Sequence, residues 1–340
     1  MKAAVVKEFN KIEIEDRPVP QLGVEEALIR VTHMGICGSD LHIYEGKLAA
    51  NYPIVPGHEF SGYLEAIQSD KYDYKVGQKV VAHPLTACGA CEMCNVGREN
   101  ACSEVSICGV HKAGGFAEFI KVPASKIYPL PDEMDLKLSA LLEPLAVAVH
   151  DVRRSRIQIG QTAYIIGGGP IGILTAIVAK ASGASKVVVG EFNDYRIGFM
   201  RGLGIDAADR KQTSLKEVVD TATAGKGFDV VFEDSGATAA YDDMIEAVKR
   251  GGTIMLIGMP PEKQLVDITE CAKRELDLIG CRIHSQSNYA AALEVMKSGE
   301  YNEQFEKLIT HTFPFDKIQE AMKFGLEDQE HIKIVLEMQE

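Results

Sequence analysis

Two short segments near the start of the chain carry side chains that could bind a metal ion. The first contains Cys37, and the second contains the adjacent pair His58 and Glu59. A thiolate, an imidazole and a carboxylate are donors that Zn²⁺ uses when it keeps a fourth position open for water or substrate. Taken alone, Cys37 or His58 could also be an ordinary buried side chain, so the remaining motifs decide the interpretation.

A second group of cysteines has the spacing Cys-x₂-Cys-x₂-Cys-x₇-Cys. Four thiolates on one loop form a closed site without a position for water, which is typical of structural zinc. An iron–sulfur cluster also uses four cysteines, but the last gap differs from the bacterial ferredoxin spacing. We therefore predict a structural zinc lobe at about residues 84–104. Its ligands are Cys88, Cys91, Cys94 and Cys102.

A glycine-rich turn follows a predicted strand and opens a predicted helix. Gly167, Gly169 and Gly172 form a Gly-x-Gly-x-x-Gly pattern, with Pro170 and Ile171 between the last two. The first glycine permits a tight turn, the second admits a pyrophosphate, and the third lets the helix pack on the strand. The helix N-terminus then faces the phosphates. The pattern in this context predicts a dinucleotide-binding turn.

An acidic residue at the end of the next predicted strand indicates which dinucleotide binds. Glu191 follows Gly172 by about the spacing expected for a residue that accepts hydrogen bonds from both ribose hydroxyls. Because a carboxylate repels a 2′-phosphate, we predict NAD(H) rather than NADP(H). Arg196 leaves an alternative, since arginine can bind a 2′-phosphate. It can equally stack on the adenine edge or face solvent.

The periodicity of the chain changes near residue 145. Before that point, short runs that alternate with period two, separated by glycine and proline, predict a β-rich barrel or sandwich. From Thr162 onward, strand-like and helix-like segments alternate, which predicts a parallel sheet covered on both faces. The tail from about residue 289 returns to helical segments and an end strand at 333–337. The expected fold class is α/β.

The composition restricts the partners of the chain. Its 340 residues, 46% of them hydrophobic, suit two domains with substantial cores. A net charge of −13 argues against nucleic acid or an anionic membrane, since binding to phosphates needs a basic patch. Neither a membrane-length apolar stretch nor a signal-peptide core is visible, so we expect a cytoplasmic protein.

The motifs together resemble the zinc-dependent medium-chain dehydrogenase/reductase family, and the resemblance covers essentially the whole chain. Besides the cysteine lobe, its most specific parts are Gly-Ile-Cys-Gly-Ser-Asp at 35–40, Gly-His-Glu-x-x-Gly at 57–62 and Leu-Glu-Pro-Leu at 142–145. These segments contain the candidate metal ligands named above. The resemblance therefore implies that they serve one catalytic centre.

The domain organisation of that family implies the limits of the domains here. A GroES-like catalytic domain is expected at 1–148 and a Rossmann NAD-binding domain at 149–287, with a return to the catalytic domain at 288–340. Family members of this length are dimers or tetramers, so a homo-oligomer is expected as well.

Position by position, the resemblance implies two zinc ions per chain, one structural and one catalytic. Cys37, His58 and Glu59 match ligands of the catalytic ion. Glu143 matches a second glutamate that, in the polyol branch, holds or exchanges with the zinc-bound water. Alcohol dehydrogenases usually have cysteine there, so Glu143 favours sorbitol, threonine and sugar-acid dehydrogenases. An exposed carboxylate at a helix start is the alternative for Glu143, although its sequence neighbours are apolar.

The same resemblance implies a proton relay and a reaction. Ser39 matches the relay hydroxyl, and His42 matches the histidine at its far end. The implied reaction transfers a hydride from a secondary alcohol to NAD, with zinc as a Lewis acid. Segments 109–116 and 308–313 are similar to L-galactonate and L-gulonate 5-dehydrogenases. A polyol or sugar acid is therefore the first substrate candidate, and L-threonine is the second.

A sugar acid needs a cation for its carboxylate. Arg282, which follows the last predicted Rossmann strand, is the first candidate, and His111 is a further one; a surface ion pair is the alternative for Arg282. A function of another class is a catalytically retired NAD-binding sensor or structural protein. The presence of the complete set of catalytic side chains argues against retirement. That set comprises Cys37, Ser39, His42, His58, Glu59 and Glu143.

Overall fold

The computed structural model describes residues 1–260 and 262–339. They form two compact units, one of Met1–Glu143 with Ser285–Glu340 and one of Pro144–His284. The division falls a few residues before the expected domain limits at 148 and 287. The assignment of a function to each domain stays a prediction.

Short strands dominate the first part of the chain. The strands are β1 (Lys2–Glu8), β2 (Lys11–Asp16), β3 (Glu26–Ile36), β4 (Glu59–Gln68), β5 (Lys79–Ala82), β6 (Leu85–Thr86), β7 (Ser106–Ile107), β8 (Phe119–Pro123) and β9 (Ile127–Pro129). The helices are α1 (Gly38–Glu45), α2 (Glu92–Asn95), α3 (Leu136–Ser139) and α4 (Leu142–Ser155).

Strands and helices then alternate. The strands are β10 (Thr162–Ile166), β11 (Lys186–Glu191), β12 (Asp206–Asp209), β13 (Phe228–Glu233), β14 (Val248–Leu256) and β15 (Asp277–Gly280). The helices are α5 (Pro170–Ala181), α6 (Asp194–Gly202), α7 (Leu215–Thr223), α8 (Ala240–Ala247) and α9 (Ile268–Arg274). The sheet is parallel with strand order β12-β11-β10-β13-β14-β15, which is the Rossmann order.

The last segment of the chain returns to the first unit. Its elements are α10 (Gln286–Lys297), α11 (Asn302–Leu308), β16 (Ile309–Pro314), α12 (Ile318–Glu327) and β17 (Lys333–Glu337). The two strands extend the mixed sheet of this unit, whose order is β16-β17-β3-β4-β5-β9, with β8 also paired to β3. The end strand that the sequence indicated at 333–337 thus lies beside the long strand β3.

Each unit has an apolar core of its own. In the first unit, β3 is buried along most of its length and packs with the fully buried Val335 and Leu336 of β17. In the second unit, Tyr164 and Phe228 are fully buried and stack with ring centroids 5.2 Å apart. The strongly apolar runs of the sequence are thus central strands. Their side chains are apolar on both sides because both faces of the sheet are covered.

The structure confirms the expected α/β class. The short strand β12, with the sequence Asp-Ala-Ala-Asp, lacks the β-branched and aromatic residues that mark strands, so the sequence pattern did not indicate it. Among residues 1–260 and 262–339, we find no helix with the length and apolar character needed to cross a membrane.

The pairing of β3 with β4 leads to a first prediction. Gly62 lies opposite Val31 beside an irregularity in the ladder, and an added Cβ would overlap the backbone carbonyl of Arg30. Since backbone in the middle of a sheet cannot easily move, we expect Gly62→Ala to lower the free energy of unfolding by about 1–3 kcal/mol. Urea unfolding followed by circular dichroism measures the change.

The matched control is Gly198→Ala in α6, where an added Cβ meets no atom within 4 Å. This substitution should be neutral or slightly stabilising, because alanine is the better helix former. Equal unfolding midpoints for Gly62→Ala and the wild type would contradict the account of this strand pair.

Candidate metal centre and dinucleotide turn

The ends of β3 and β4 bring the first group of candidate ligands together. Cys37 directly follows β3, and Glu59 begins β4 with His58 immediately before it. Gly35 and Glu59 are register partners in this antiparallel pair. One ligand atom from each of Cys37, His58 and Glu59 therefore lies within 4.8 Å of the other two.

This donor set fits a zinc ion. Zinc binds sulfur, imidazole nitrogen and carboxylate oxygen at roughly 2.0–2.3 Å, so ligand atoms this close can share one ion after small side-chain adjustments. His58 and Glu59 are buried, whereas Cys37 is only partly buried. Three protein ligands with one partly open side are typical of a catalytic rather than a structural site.

Asp40 orients this set, although the sequence analysis assigned it no role. It is fully buried in the first turn of α1, where Oδ2 accepts a hydrogen bond from the Cys37 backbone N–H at 2.9 Å. Its Oδ1 accepts one from the Gly57 N–H at 3.1 Å and lies 3.6 Å from Nδ1 of His58. A carboxylate beside one ring nitrogen commonly fixes a histidine whose other nitrogen binds a metal.

The signal that could have identified Asp40 is its spacing from Cys37. The side chain of an acidic residue three positions after the N-cap can accept a hydrogen bond from the N-cap backbone N–H, and Asp40 does so here. The cap therefore fixes the loop at Cys37 and places a carboxylate beside the ring of His58.

The charges around His58 favour a cation. Burial disfavours the imidazolium, but Asp40 and the Cys37 sulfur outweigh burial and raise the pKa of His58 well above its ordinary value. A metal ligand must be the neutral imidazole, so a bound metal ion replaces this proton. The surroundings that attract the proton attract a divalent ion for the same reason.

Lys333 of β17 forms a buried ion pair with Glu59, which the sequence analysis also missed. Its Nζ lies 2.6 Å from Oε1 and 2.5 Å from Oε2 of Glu59, and both side chains are almost fully buried. Burial opposes the charged lysine, but the Glu59 carboxylate outweighs it and raises the pKa of Lys333. The available signal was a single lysine at the start of an apolar end strand.

Glu143 lies in the first turn of α4 and is 6% exposed, so the alternative of an exposed carboxylate does not hold. It stands outside the group of three close ligands. Its negative charge nevertheless acts on His58, Glu59 and Lys333. The chain thus places a second carboxylate near the candidate centre without bringing it into the ligand set.

The two residues of the expected proton relay lie on α1. The Oγ atom of Ser39 is 3.5 Å from Nε2 of His58, so a hydroxyl borders the candidate metal ligands. His42 follows three residues later and is exposed to solvent. Residues with this spacing share one face of a helix. The order of a hydroxyl near the ligands and an imidazole at the surface suits a path for a proton.

The second cysteine group forms a compact cluster around α2. The sulfur atoms of Cys91 and Cys94 are 3.5 Å apart, and those of Cys88 and Cys102 are 3.6 Å apart. Backbone N–H groups of Ala90 and Cys91 lower the pKa of the Cys88 thiol, which favours the thiolate that metals bind. All four sulfur atoms lie within 4.8 Å of one another, and they belong to Cys88, Cys91, Cys94 and Cys102. This geometry fits a tetrahedral zinc ion.

The glycine-rich turn between β10 and α5 has the conformation that a pyrophosphate needs. Gly167 has φ +109°, which favours glycine, and an added Cβ at Gly172 would overlap the Gly167 carbonyl oxygen. Gly169 is the N-cap of α5, and Pro170 is the first helical residue. An added Cβ at Gly169 has no neighbour closer than 3.9 Å, so this side of the turn is open. Ile171 follows in the first turn.

Glu191 ends β11 beside this turn. Its Oε2 accepts a hydrogen bond from the Gly168 N–H at 2.8 Å, and its Oε1 accepts one from the Asn193 N–H at 2.9 Å. The guanidinium of Arg196 lies 3.8 Å from Oε2. The carboxylate is therefore held in place at the position where the Rossmann fold binds the adenosine ribose.

The two substrate candidates stand outside both groups of ligands. Arg282 is exposed and follows β15 by two residues. His111 is also exposed, and its Nδ1 accepts a hydrogen bond from the Ile107 backbone N–H at 3.1 Å, which stabilises its own turn. Their roles in binding a substrate stay predictions.

The buried ion pair leads to a second prediction. We expect Lys333→Met to lower the free energy of unfolding by roughly 3–5 kcal/mol, because Glu59 then stays buried without a counter-charge. The double variant Lys333→Met/Glu59→Met should recover much of this loss, since it removes both charges. Urea unfolding in the presence of a chelator compares them, so that no metal ion compensates Glu59. A loss below about 1 kcal/mol for the single variant would argue against this pair as a structural element.

Two family models match the chain over most of its length. The alcohol dehydrogenase GroES-like domain matches residues 23–132, and the zinc-binding dehydrogenase matches residues 170–298. The first match contains both candidate metal groups apart from Glu143. The second begins at Pro170, the first residue of the helix after the glycine-rich turn.

Curated relatives have related activities. A 2-dehydro-3-deoxy-L-galactonate 5-dehydrogenase from Pseudoalteromonas atlantica is 39% identical over 86% of each chain. A sorbitol dehydrogenase from Bacillus subtilis is 33% identical over 96% of this chain and 94% of its own. An L-threonine 3-dehydrogenase from Rhizobium etli is 34% identical over 96% of both chains.

Solved structures have the same fold along the whole chain. A zinc-binding dehydrogenase from Sinorhizobium meliloti bound to NADP has a TM-score of 0.91 at 27% identity, and the match covers 99% of this chain and 98% of that one. These similarities and the two family models confirm the resemblance that the motifs indicated. The chain therefore belongs to the zinc-dependent medium-chain dehydrogenase/reductase family.

Proposed function

We propose that the chain oxidises a secondary alcohol of a polyol or sugar acid with NAD as hydride acceptor. The observation that carries this proposal is the convergence of Cys37, His58 and Glu59 on one point, with Glu143 as a buried carboxylate beside them. A second carboxylate where alcohol dehydrogenases usually have cysteine favours the polyol and sugar-acid branch. The other motifs are consistent with this choice.

The chemistry divides between the bound groups and the protein. When bound, zinc supplies Lewis-acid polarisation of an alcohol, and the dinucleotide supplies a hydride acceptor. Cys37 and His58 would hold the ion, with Asp40 fixing the imidazole ring. Glu59 could bind the ion or stay paired with Lys333. In the absence of substrate, the carboxylate that completes the ligand set would therefore be either Glu59 or Glu143.

The protein also has to remove a proton from the alcohol. The Ser39 hydroxyl, adjacent to His58, would accept that proton and pass it toward His42 on the same face of α1. His42 is exposed, so its imidazole can exchange the proton with water. General acid–base groups of this kind typically contribute about 10²–10⁴-fold to a rate.

Glu191 supports NAD as the cofactor. Its carboxylate is fixed by backbone N–H groups and would stand beside the 2′-hydroxyl of the adenosine ribose, where it repels a 2′-phosphate. Arg196 offsets part of this charge from 3.8 Å. The NADP in the Sinorhizobium meliloti structure belongs to that protein, whose sequence is 27% identical.

The relatives name both a sugar acid and L-threonine as substrates, so they leave two candidates. We place the sugar acid or polyol first because the relative named for a galactonate derivative is 39% identical, against 34% for the threonine dehydrogenase. Arg282 or His111 would bind the carboxylate of a sugar acid. L-threonine 3-dehydrogenase activity is the second candidate.

The test of the proposal measures NADH or NADPH formation by zinc-loaded protein. L-gulonate, L-galactonate, sorbitol and L-threonine are each offered with NAD⁺ and with NADP⁺. We expect turnover of a sugar acid or polyol that is at least tenfold faster with NAD⁺. Turnover of L-threonine alone would favour the second candidate. No turnover of any of the four with both metal groups filled would overturn the proposed substrate class, whereas protein that holds only the ion of the cysteine lobe would favour an NAD-binding sensor or structural protein.

A substitution tests the role of the second carboxylate. We expect Glu143→Ala to lower kcat by about 10²-fold or more while dinucleotide affinity stays unchanged, because Glu143 lies at the metal group and not at the dinucleotide turn. Steady-state kinetics and a fluorescence titration with NADH measure the two quantities. Glu300→Ala, which removes an exposed carboxylate, is the control. A kcat near the wild-type value would contradict the role of Glu143.

A further inference from the structure

A third group of metal-binding side chains lies within the unit Pro144–His284. His150 and Asp151 are neighbours on α4, and Cys281 directly follows β15. One ligand atom from each of the three lies within 4.8 Å of the other two. The sequence alone did not indicate this group, because the partners of Cys281 come from a helix more than a hundred residues earlier.

Asp151 is the unusual member of this group. Its side chain is 1% exposed, and among the described residues neither carboxylate oxygen accepts a hydrogen bond from an N–H or O–H group; the Cys281 thiol, a weak donor, is the group that contacts it. A buried polar group without a partner destabilises a protein by roughly 1–3 kcal/mol, and a buried charge by more. Such a carboxylate in a native fold indicates that a group outside the polypeptide satisfies it.

A second buried carboxylate, that of Asp234, lies near Asp151 and adds negative charge to this region. Asp234 follows the end of β13, and Thr175 is the side chain that interacts with its carboxylate, which is otherwise without a hydrogen-bond partner within the described part of the chain. Burial and the charge of Asp234 together raise the pKa of Asp151 well above its usual range. Burial and Glu233 raise the pKa of Asp234 to about 8.

The pKa of the Cys281 thiol is also raised. Burial and the nearby Asp151 raise the pKa of Cys281 far above its ordinary value. Arg154 opposes these shifts only in part, and its Nε donates a hydrogen bond to the Gly280 carbonyl at 2.8 Å. The proposal rests on the geometry, which places the sulfur, nitrogen and oxygen donors within 4.8 Å of one another around a carboxylate without an N–H or O–H donor.

We propose that His150, Asp151 and Cys281 bind a divalent cation of the Zn²⁺ type, with Asp234 as the adjacent carboxylate that balances its charge. Imidazole nitrogen, thiolate sulfur and carboxylate oxygen together are the donors that zinc uses, whereas calcium and magnesium prefer oxygen alone. The site is separate from the Cys37 group and from the cysteine lobe, because it shares no ligand with either. The proposal does not depend on the proposed catalytic function.

The role of this ion would be structural. It would connect α4 to the end of β15, two elements that are distant in sequence and are already joined by the hydrogen bond of Arg154 to Gly280. It would also satisfy the buried oxygens of Asp151. A ligand that binds only the folded chain stabilises it more as the ligand concentration rises above the dissociation constant. Zinc in excess of the two expected ions should therefore raise the unfolding temperature further.

Metal counting tests the proposal on the full-length protein. Protein dialysed against zinc is analysed by mass spectrometry for zinc per chain. We expect three ions in the wild type and two in both Cys281→Ser and Asp151→Asn. The matched control is Cys271→Ser, which changes a buried cysteine of the same unit that stands outside the cluster, and it should keep three. Two ions in the wild type under these conditions would overturn the proposal.

Crystals of the wild-type protein provide a second measurement that does not depend on the folding of a variant. An anomalous difference map recorded at the zinc absorption edge should show a peak between His150, Asp151 and Cys281. The cysteine lobe in the same map serves as an internal reference for full occupancy. A peak at the lobe together with none at this cluster would refute the third site.

Discussion

The candidate metal centre depends on the antiparallel pairing of β3 with its neighbours β4 and β17. Cys37 leaves the end of β3, Glu59 opens β4, and Lys333 opens β17, so three sheet partners deliver a ligand, a carboxylate and its counter-charge. Because side chains on a strand alternate between faces, a slip of one residue in either pairing would separate them. The buried ion pair of Glu59 and Lys333 is the feature that makes this register energetically specific, since either charge alone would be buried without compensation.

The same ion pair shapes the chemistry that the centre can perform. In the proposed function, the Glu59 carboxylate would be a weaker metal ligand because it is paired with Lys333, and Glu143 would be the second carboxylate available to the ion. Asp40 holds the loop at Cys37 and lies beside the ring of His58. The site thus places one ligand beside a helix cap and a second one in a buried ion pair.

The sequence predicted those parts that depend on local spacing. The cysteine lobe, the glycine-rich turn and the alternation of strands and helices each lie within a short window, so their patterns indicated the correct local structures. Asp40 was missed because its partner His58 belongs to a different segment, and Lys333 because its partner Glu59 lies 274 residues away. The cluster around Cys281 was missed for the same reason. Strand pairing between distant segments has no signature in a single sequence, and that pairing decides which polar side chains meet inside the protein.

The most direct test of the account is controlled removal of the metal ion at the Cys37 group. A mild chelator should extract this partly open ion before it strips the closed cysteine lobe. Oxidation of a polyol or sugar acid is then measured beside zinc content and circular dichroism. We predict that turnover falls in proportion to the ion lost, that secondary structure stays intact and that added zinc restores activity. Undiminished turnover in protein whose Cys37 group holds no metal would contradict the account.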